Sequence, residues 1–506
     1  MRRFLLLGLI VAMVISPALA EYEEAGDVEA FRLALEEDGF IVQEGELGFF
    51  DFIQLYEKGV LPSVYGNNPS TKYLGYFVPP APGYELDPQF VEIAAALNMS
   101  GNASSFWNLG PDEAVVFVGR TPPECRYFSF DHYLMSRTND GEAQWIFSNI
   151  ADTVNNLVIN TGGAPGKRLG NSVVATKSNQ GWAAGEPFNQ TTMIVSTADR
   201  GIDERIRAAA RSAGYSEGIM NTQVFPSSIL RMGLEDDSDT FAIFIRPALF
   251  TDMQAGDEYI NNTPATVFRV TPTTATDPDP YGYPVLRVRG TGQTEFDLTD
   301  DLNELRSAIL ERYGYQNAME LPTAPTVPVG SEAIQRGIDA IGPTNDAVYL
   351  WTADQTAASP TPPFFDTMQF FEFLRDPWIT LEDDTGEFFI VYGVNHAATG
   401  KATYTSFSLY GADIWNGIGS ITDADYTGSA AEYLPGNPNA KYLYAYKVAR
   451  DCDGDDYCFE VPFGVGGYGI ELDQPIFIVW RVYLEEATQT GPSYAEVVYD
   501  RAIKFG

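Results

Sequence analysis

The chain has 506 residues, with 31 Lys+Arg against 69 Asp+Glu and a formal net charge of −38. So acidic a surface repels phosphate backbones and anionic lipid headgroups, which argues against nucleic acid as a partner. Hydrophobic residues make up 45% and aromatics 13%, enough for packed cores, so the acidity is not the mark of a disordered chain. At roughly 100–200 residues per domain, the length implies two to four domains.

The N-terminus reads as an export signal. Arg2 and Arg3 precede an apolar stretch over residues 4–15, and Ala18-Leu19-Ala20 forms a small-x-small cleavage site before Glu21. The stretch is shorter than the roughly 18–20 residues of a bilayer span, so residues 1–20 are expected to be removed. This leaves a secreted or cell-surface protein with no integral membrane span. Cleavage would remove two arginines and no acid, taking the charge from −38 to about −40 by that subtraction.

A short amphipathic helix is expected over 28–35, with Val28, Phe31 and Leu35 on one stripe. Strands follow over 114–118, 125–135 and 193–196. A helix over 202–213 has Ile202, Ile206, Ala209, Ala210 and Ala213 on one face, Asp199 or Thr197 as its cap and Gly214 as its stop. Strands over 241–246 and 265–270 complete an N-terminal β-rich half, 21–298. A helix over 300–313 and the proline-rich run 321–328 define a connector, 299–330. A short helix over 331–341 opens a C-terminal β-rich half, 331–506.

The two halves share landmarks. Tyr127, Ser129, Phe130 and Tyr133 recur at the same spacing as Tyr404, Ser406, Phe407 and Tyr410, each set after an apolar run ending in Gly119 or Gly393. Thr197-Ala198-Asp199-Arg200 finds a counterpart in Val448-Ala449-Arg450-Asp451, and Phe244-Ile245-Arg246 in Val479-Trp480-Arg481. The expected fold is mainly β with a few helices (α+β), as two related β-sandwich or jelly-roll-like halves from an internal duplication. The stretch 126–133, Asn155-Asn156-Leu157-Val158-Ile159, the arginine-bearing strand and Gly491-Pro492-Ser493 together resemble a secreted β-sandwich family of unknown function. Its members carry an Arg-Tyr-Trp-Ser-Leu strand, where this chain has Phe128 and Phe130 in place of the Trp and Leu. The resemblance implies a sandwich or jelly-roll core and no activity.

Chemistry-bearing residues are sparse or unspecific. Cys452 and Cys458 bracket an acidic turn and are expected to form a local disulfide, leaving Cys125 as a buried thiol. With two histidines, His132 and His396, no zinc signature exists; His132 is expected in the core and His396, in the 393–400 loop, is a ligand-binding candidate. No Gly-x-Ser-x-Gly elbow is present. Acid clusters at 235–237, 300–301, 382–384 and 423–425 are so abundant that they do not single out a glycosidase pair. Asp451, Asp453 and Asp455 alternate as calcium ligands do, which makes calcium the one candidate cofactor. Arg246 and Arg481 are embedded in apolar strands, where a charge must be paired or face a cavity; they are candidates for binding a carboxylate ligand, the alternative being internal ion pairs. Asn98, Asn102, Asn189 and Asn261 head glycosylation sequons. These readings lead to a non-catalytic extracellular binding or structural protein engaging an extracellular ligand or surface component. The alternative is an extracellular carboxylate-based hydrolase acting on a glycan-like substrate in the cleft between the halves.

Overall fold

The structure, a computed structural model, describes residues 26–162, 186–282, 286–326, 330–352, 379–383, 386–464 and 467–506. The expected signal peptide, part of the proline-rich run and Asp384 lie outside them. Among the described residues, no helix is long and apolar enough to cross a membrane.

The architecture is mainly β. Among the described residues before 280 are twelve strands: β1 (Phe40–Phe49), β2 (Leu74–Phe77), β3 (Ala114–Arg120), β4 (Cys125–Tyr127), β5 (Ser129–Asn139), β6 (Glu142–Asn149), β7 (Val154–Asn155), β8 (Thr191–Thr197), β9 (Met220–Val224), β10 (Thr240–Ile245), β11 (Ala248–Phe250) and β12 (Ala265–Pro272). Their principal sheet runs β6-β5-β10-β2-β1-β12-β3-β8-β9. After residue 317 come β13 (Ala318–Leu321), β14 (Thr323–Pro325), β15 (Ala347–Thr352), β16 (Phe388–Val394), β17 (Tyr404–Gly411), β18 (Asn416–Thr422), β19 (Leu443–Ala449), β20 (Cys458–Glu460), β21 (Ile476–Tyr483) and β22 (Arg501–Phe505). They form two sheets, β14-β15-β21-β17-β18 and β13-β22-β16-β19-β20.

Burial explains why so many strands read as unbroken apolar runs. In β3, Val115 and Phe117 point into a core shared with Tyr76, Phe130 and Ile243, while Val116 and Val118 on the other face pack beneath the helices Val28–Glu37 and Arg200–Ser212. Both faces are covered, so neither is polar. In the second half, Phe389 and Val391 of β16 face Phe407 and Trp480, while Ile390 and Tyr392 meet Leu305 and Ile309 of the helix Thr299–Tyr313.

Local expectations hold with small shifts of boundary. The Asp199 carboxylate caps the helix Arg200–Ser212 by accepting from the Ile202 amide at 3.0 Å. The helix opening at Ser331 stops at Arg336, shorter than expected, because Gly337 turns left-handed at φ 64°. The strand expected over 125–135 is two strands: β4 pairs with β11, and β5 with β10. The proline-rich run is extended, as expected, yet its described part is hydrogen-bonded into the sheets and does not run free. Residues 318–321 pair with β22 and 323–325 with β15, and Pro322 falls between them.

Buried charge is common and mostly neutralised. Arg269, 1% exposed, donates to both Glu113 carboxylate oxygens, at 3.1 and 2.5 Å. We predict that Glu113→Ala, which leaves that guanidinium buried without an anion, lowers the unfolding free energy by about 3–5 kcal/mol in urea titration; an unchanged midpoint would show that the pair contributes nothing.

Candidate functional site

Among the contacts between the halves are two reciprocal loop contacts. Ahead of β2, the Val64 and Gly66 amides donate to the Ile414 and Trp415 carbonyls at 2.8 and 2.9 Å. Ahead of β15, the Ala340 and Gly342 amides donate to the Ile146 and Phe147 carbonyls at 2.9 and 2.7 Å. Gly342 has φ +70°, and a Cβ there would lie 2.5 Å from the Phe147 ring, so only glycine fits this approach.

Between these contacts lies a cavity with about 70 Å³ of space for the centres of water-sized molecules, room for several waters or a small organic anion. Aromatic rings dominate its walls, among them Phe147, Phe244, Trp351, Trp415 and Phe477, and both candidate arginines open onto it. Arg246, the residue after β10, is 3% exposed and Arg481 of β21 is 5% exposed. The sequence thus marked both residues correctly as buried charges, and the structure brings them to one cavity.

Their settings match in register. Arg481 lies opposite Ser406, and Phe477 opposite Tyr410. The Arg246 amide donates to the Ser129 carbonyl at 2.9 Å, and Ala242 lies opposite Tyr133. Arg246 Nη1 donates to the Tyr133 hydroxyl at 2.8 Å, and Arg481 Nη2 to the Tyr410 hydroxyl at 2.6 Å. Each tyrosine hydroxyl donates in turn to the opposite half's loop, Tyr133 to the Gly342 carbonyl at 3.4 Å and Tyr410 to the Asn67 carbonyl at 2.8 Å. A ring also lies beneath each guanidinium: Tyr73 is 5.5 Å from Arg246 Cζ, and Tyr349 is 5.9 Å from Arg481 Cζ.

One position breaks the match. Arg246 Nη1 lies 3.4 Å from the Asp131 carboxylate, whereas Arg481 Nη1 finds the Ser408 hydroxyl at 3.3 Å. Other buried arginines show what is missing. Arg207 is paired with Asp203 and Glu217, Arg269 with Glu113, and Arg287 with Asp152 and Asp346. Arg450 is surrounded by the carbonyls of Leu381, Pro462, Ile470 and Glu471. Arg481 has neither a carboxylate nor such a carbonyl set among the described residues, and its Nε, like that of Arg246, makes no hydrogen bond. A guanidinium carries five N–H donors and stays charged in any protein setting. Two neutral hydroxyl acceptors and ring faces leave the several kcal/mol of desolvation largely uncompensated.

The field inside the cavity is correspondingly positive. Although burial opposes ionisation of Tyr349, the guanidiniums of Arg246 and Arg481 draw its phenol below the ordinary value. Burial pushes the carboxyl of Asp131, which lies behind Arg246 and does not line the cavity, up to about 7 against the pull of that guanidinium.

The other candidates lie elsewhere. His396 does not face the cavity: it opens a short helix and is 1% exposed. Its Nδ1 is 2.7 Å from Glu295 and its Nε2 3.3 Å from Asp500, a clamp sealed by Thr399 on Glu295 and Tyr444 on Asp500. His132 is buried, with Nε2 3.0 Å from the Val224 carbonyl. Cys452 and Cys458 form the expected disulfide. Cys125 is a buried free thiol pushed up to about 12 by burial. Asp451, Asp453 and Asp455 are not brought together: Asp451 accepts from the Asp453 amide, and Asp455 pairs with Lys447 at 2.7 Å. Among the described residues, no group of three or more His, Cys, Asp or Glu could hold a metal. Asn98, Asn102, Asn189 and Asn261 are all exposed.

The clamp makes a pH prediction. Burial disfavours the charged imidazole, but the Glu295 and Asp500 carboxylates override it and raise His396 from 6.5 to about 10. Stability from a raised group is complete below its unfolded value and lost as pH climbs through the folded one. Unfolding free energy should therefore decline between about pH 7 and 10, and His396→Gln should flatten that decline. An equal slope in the variant would place the titration elsewhere.

No protein-family model matches the chain, and no curated protein matches it. Among solved structures, an uncharacterised protein from Burkholderia cenocepacia aligns at TM-score 0.35 and 13% identity, over 94% of this chain and 86% of that one. The VPA0106 protein from Vibrio parahaemolyticus aligns at TM-score 0.36 and 10% identity, over 94% and 96%. Neither likeness assigns a function.

Proposed function

We propose that this is an exported, non-catalytic binding protein, built from two descendants of one duplicated β-module, that holds an anionic ligand in the cavity where the halves meet. Strand order supports the duplication. Reading β6-β5-β10-β2-β1-β12-β3-β8-β9 against β18-β17-β21-β15-β14 and β13-β22-β16-β19-β20 pairs the strands one for one and in the same chain order. The single strand β1, which spans both parts of the first sheet, corresponds to β13 and β14 on either side of Pro322. The parallel pairs β8–β9 and β19–β20 fall at the same place in each series.

The observation that carries the binding reading is Arg481, a buried guanidinium without an anionic partner beside a cavity. A purely structural arginine would have been paired with an acid, as Arg269 and Arg287 are, or surrounded by carbonyls, as Arg450 is. The hydrolase alternative requires two carboxylates facing each other across the cleft, and no Asp or Glu is among the described residues lining this cavity. Export is supported by the signal-like N-terminus and the net charge of −38.

The test is a trade-off between stability and binding. Arg481→Met removes an uncompensated buried charge and should stabilise the ligand-free protein, by about 1–4 kcal/mol if it behaves like other buried charges replaced by apolar residues. It should also abolish the rise in melting temperature that small organic anions produce in the parent chain. A destabilised Arg481→Met, or a parent chain indifferent to every anion, would overturn the reading.

A further inference from the structure

On the reading that the cavity binds an anion, we infer that the ligand is a monocarboxylate on a flat, aromatic body, and that its carboxylate docks on Arg481 and not on Arg246. Three features of the cavity lead there.

The first is charge. The two arginine sites differ at one matched position, Asp131 beside Arg246 and Ser408 beside Arg481. The cavity therefore has one guanidinium with its own acid and one without. With Asp131 ionised, a monoanion completes the set, whereas a dianion such as phosphate would leave a surplus negative charge in a desolvated space.

The second is the shape of the donor. Arg481 Nη1 and Nη2 each make one hydrogen bond, to Ser408 and Tyr410, and the Nε hydrogen is unused. The guanidinium is planar and keeps three unused N–H donors, Nε among them, and a planar donor group of this kind matches the two oxygens of a carboxylate. The third is the wall. Phe477 lies 5.0 Å from both Tyr410 and Trp415, centroid to centroid, and Trp351 lies 6.3 Å from Trp415. Such a wall favours ring against ring, offset or edge to face, over a flexible chain.

The Asp131/Ser408 difference supplies the decisive variant. Ser408→Asp places beside Arg481 the acid that Arg246 already has, so the protein would neutralise its own anion site. Isothermal titration of the chain lacking residues 1–20, with benzoate, benzamide, acetate and inorganic phosphate, tests the inference. Benzoate is expected to bind one per chain, with benzamide, acetate and phosphate at least about tenfold weaker. Ser408→Asp should weaken benzoate at least about tenfold while the melting temperature holds or rises. Should that variant not fold, Arg481→Lys, which keeps the charge and loses the planar fork, is expected to weaken benzoate and leave acetate nearly as it was. Phosphate binding more tightly than benzoate, benzamide equalling benzoate, or Ser408→Asp (Arg481→Lys, if it does not fold) binding benzoate as the parent does would each overturn this inference and leave the anion site standing. A parent chain that binds none of the three anions would overturn the anion site as well.

Discussion

A charge taken out of water must find an opposite charge or a dense set of dipoles, and this requirement organises the centre of the molecule. Arg246 and Arg481 lie where two β-rich halves press together, surrounded by rings and hydroxyls. The halves hold them there through backbone exchange, in which each contributes a loop that bonds to the other's hairpin. Tyr133 and Tyr410 tie the two systems together, because each accepts from its own half's arginine and donates to the other half's loop. The contact between the halves and the positive cavity are therefore one structure. Change in either would be felt by the other.

Stability lies chiefly outside that centre. Each half has an inner core and a second apolar layer beneath its helices, and the other buried charges find partners within a half, as Arg269 and Glu113 do, or across the contact, as Arg287 and Asp346 do. The His396 clamp joins Glu295, from the stretch before the helix Thr299–Tyr313, to Asp500 near the C-terminus, fastening that stretch to the second half. Two packed cores can tolerate a strained electrostatic arrangement where they meet. Locally costly groups are found at functional sites when the surrounding structure holds them in place.

Much of this was legible from local sequence, and the exceptions share one cause. Apolar runs, helix stripes with caps such as Asp199, and the Cys452–Cys458 turn are decided by residues close in the chain, so their expectations held. The arginines stood out because charge inside an apolar strand is anomalous wherever the strand lies. The Asp131/Ser408 difference was also present in the repeated Tyr-Ser-Tyr spacing, but its meaning depended on register with β10 and β21, more than 70 residues away in each case. The setting of His396 was hidden for the same reason: its partners are 101 and 104 residues distant, and a loop histidine reads as free until they are known. Tyr73 and Tyr349 carry no local mark at all.

The central claim is that Arg481 has no anion of its own and is held ready for one from outside. The most direct measurement is the anomalous difference map of crystals soaked in sodium bromide. The account predicts a bromide peak in contact with the Arg481 guanidinium inside the cavity. A carboxylate of the chain itself occupying that place, with no bromide peak, would contradict it.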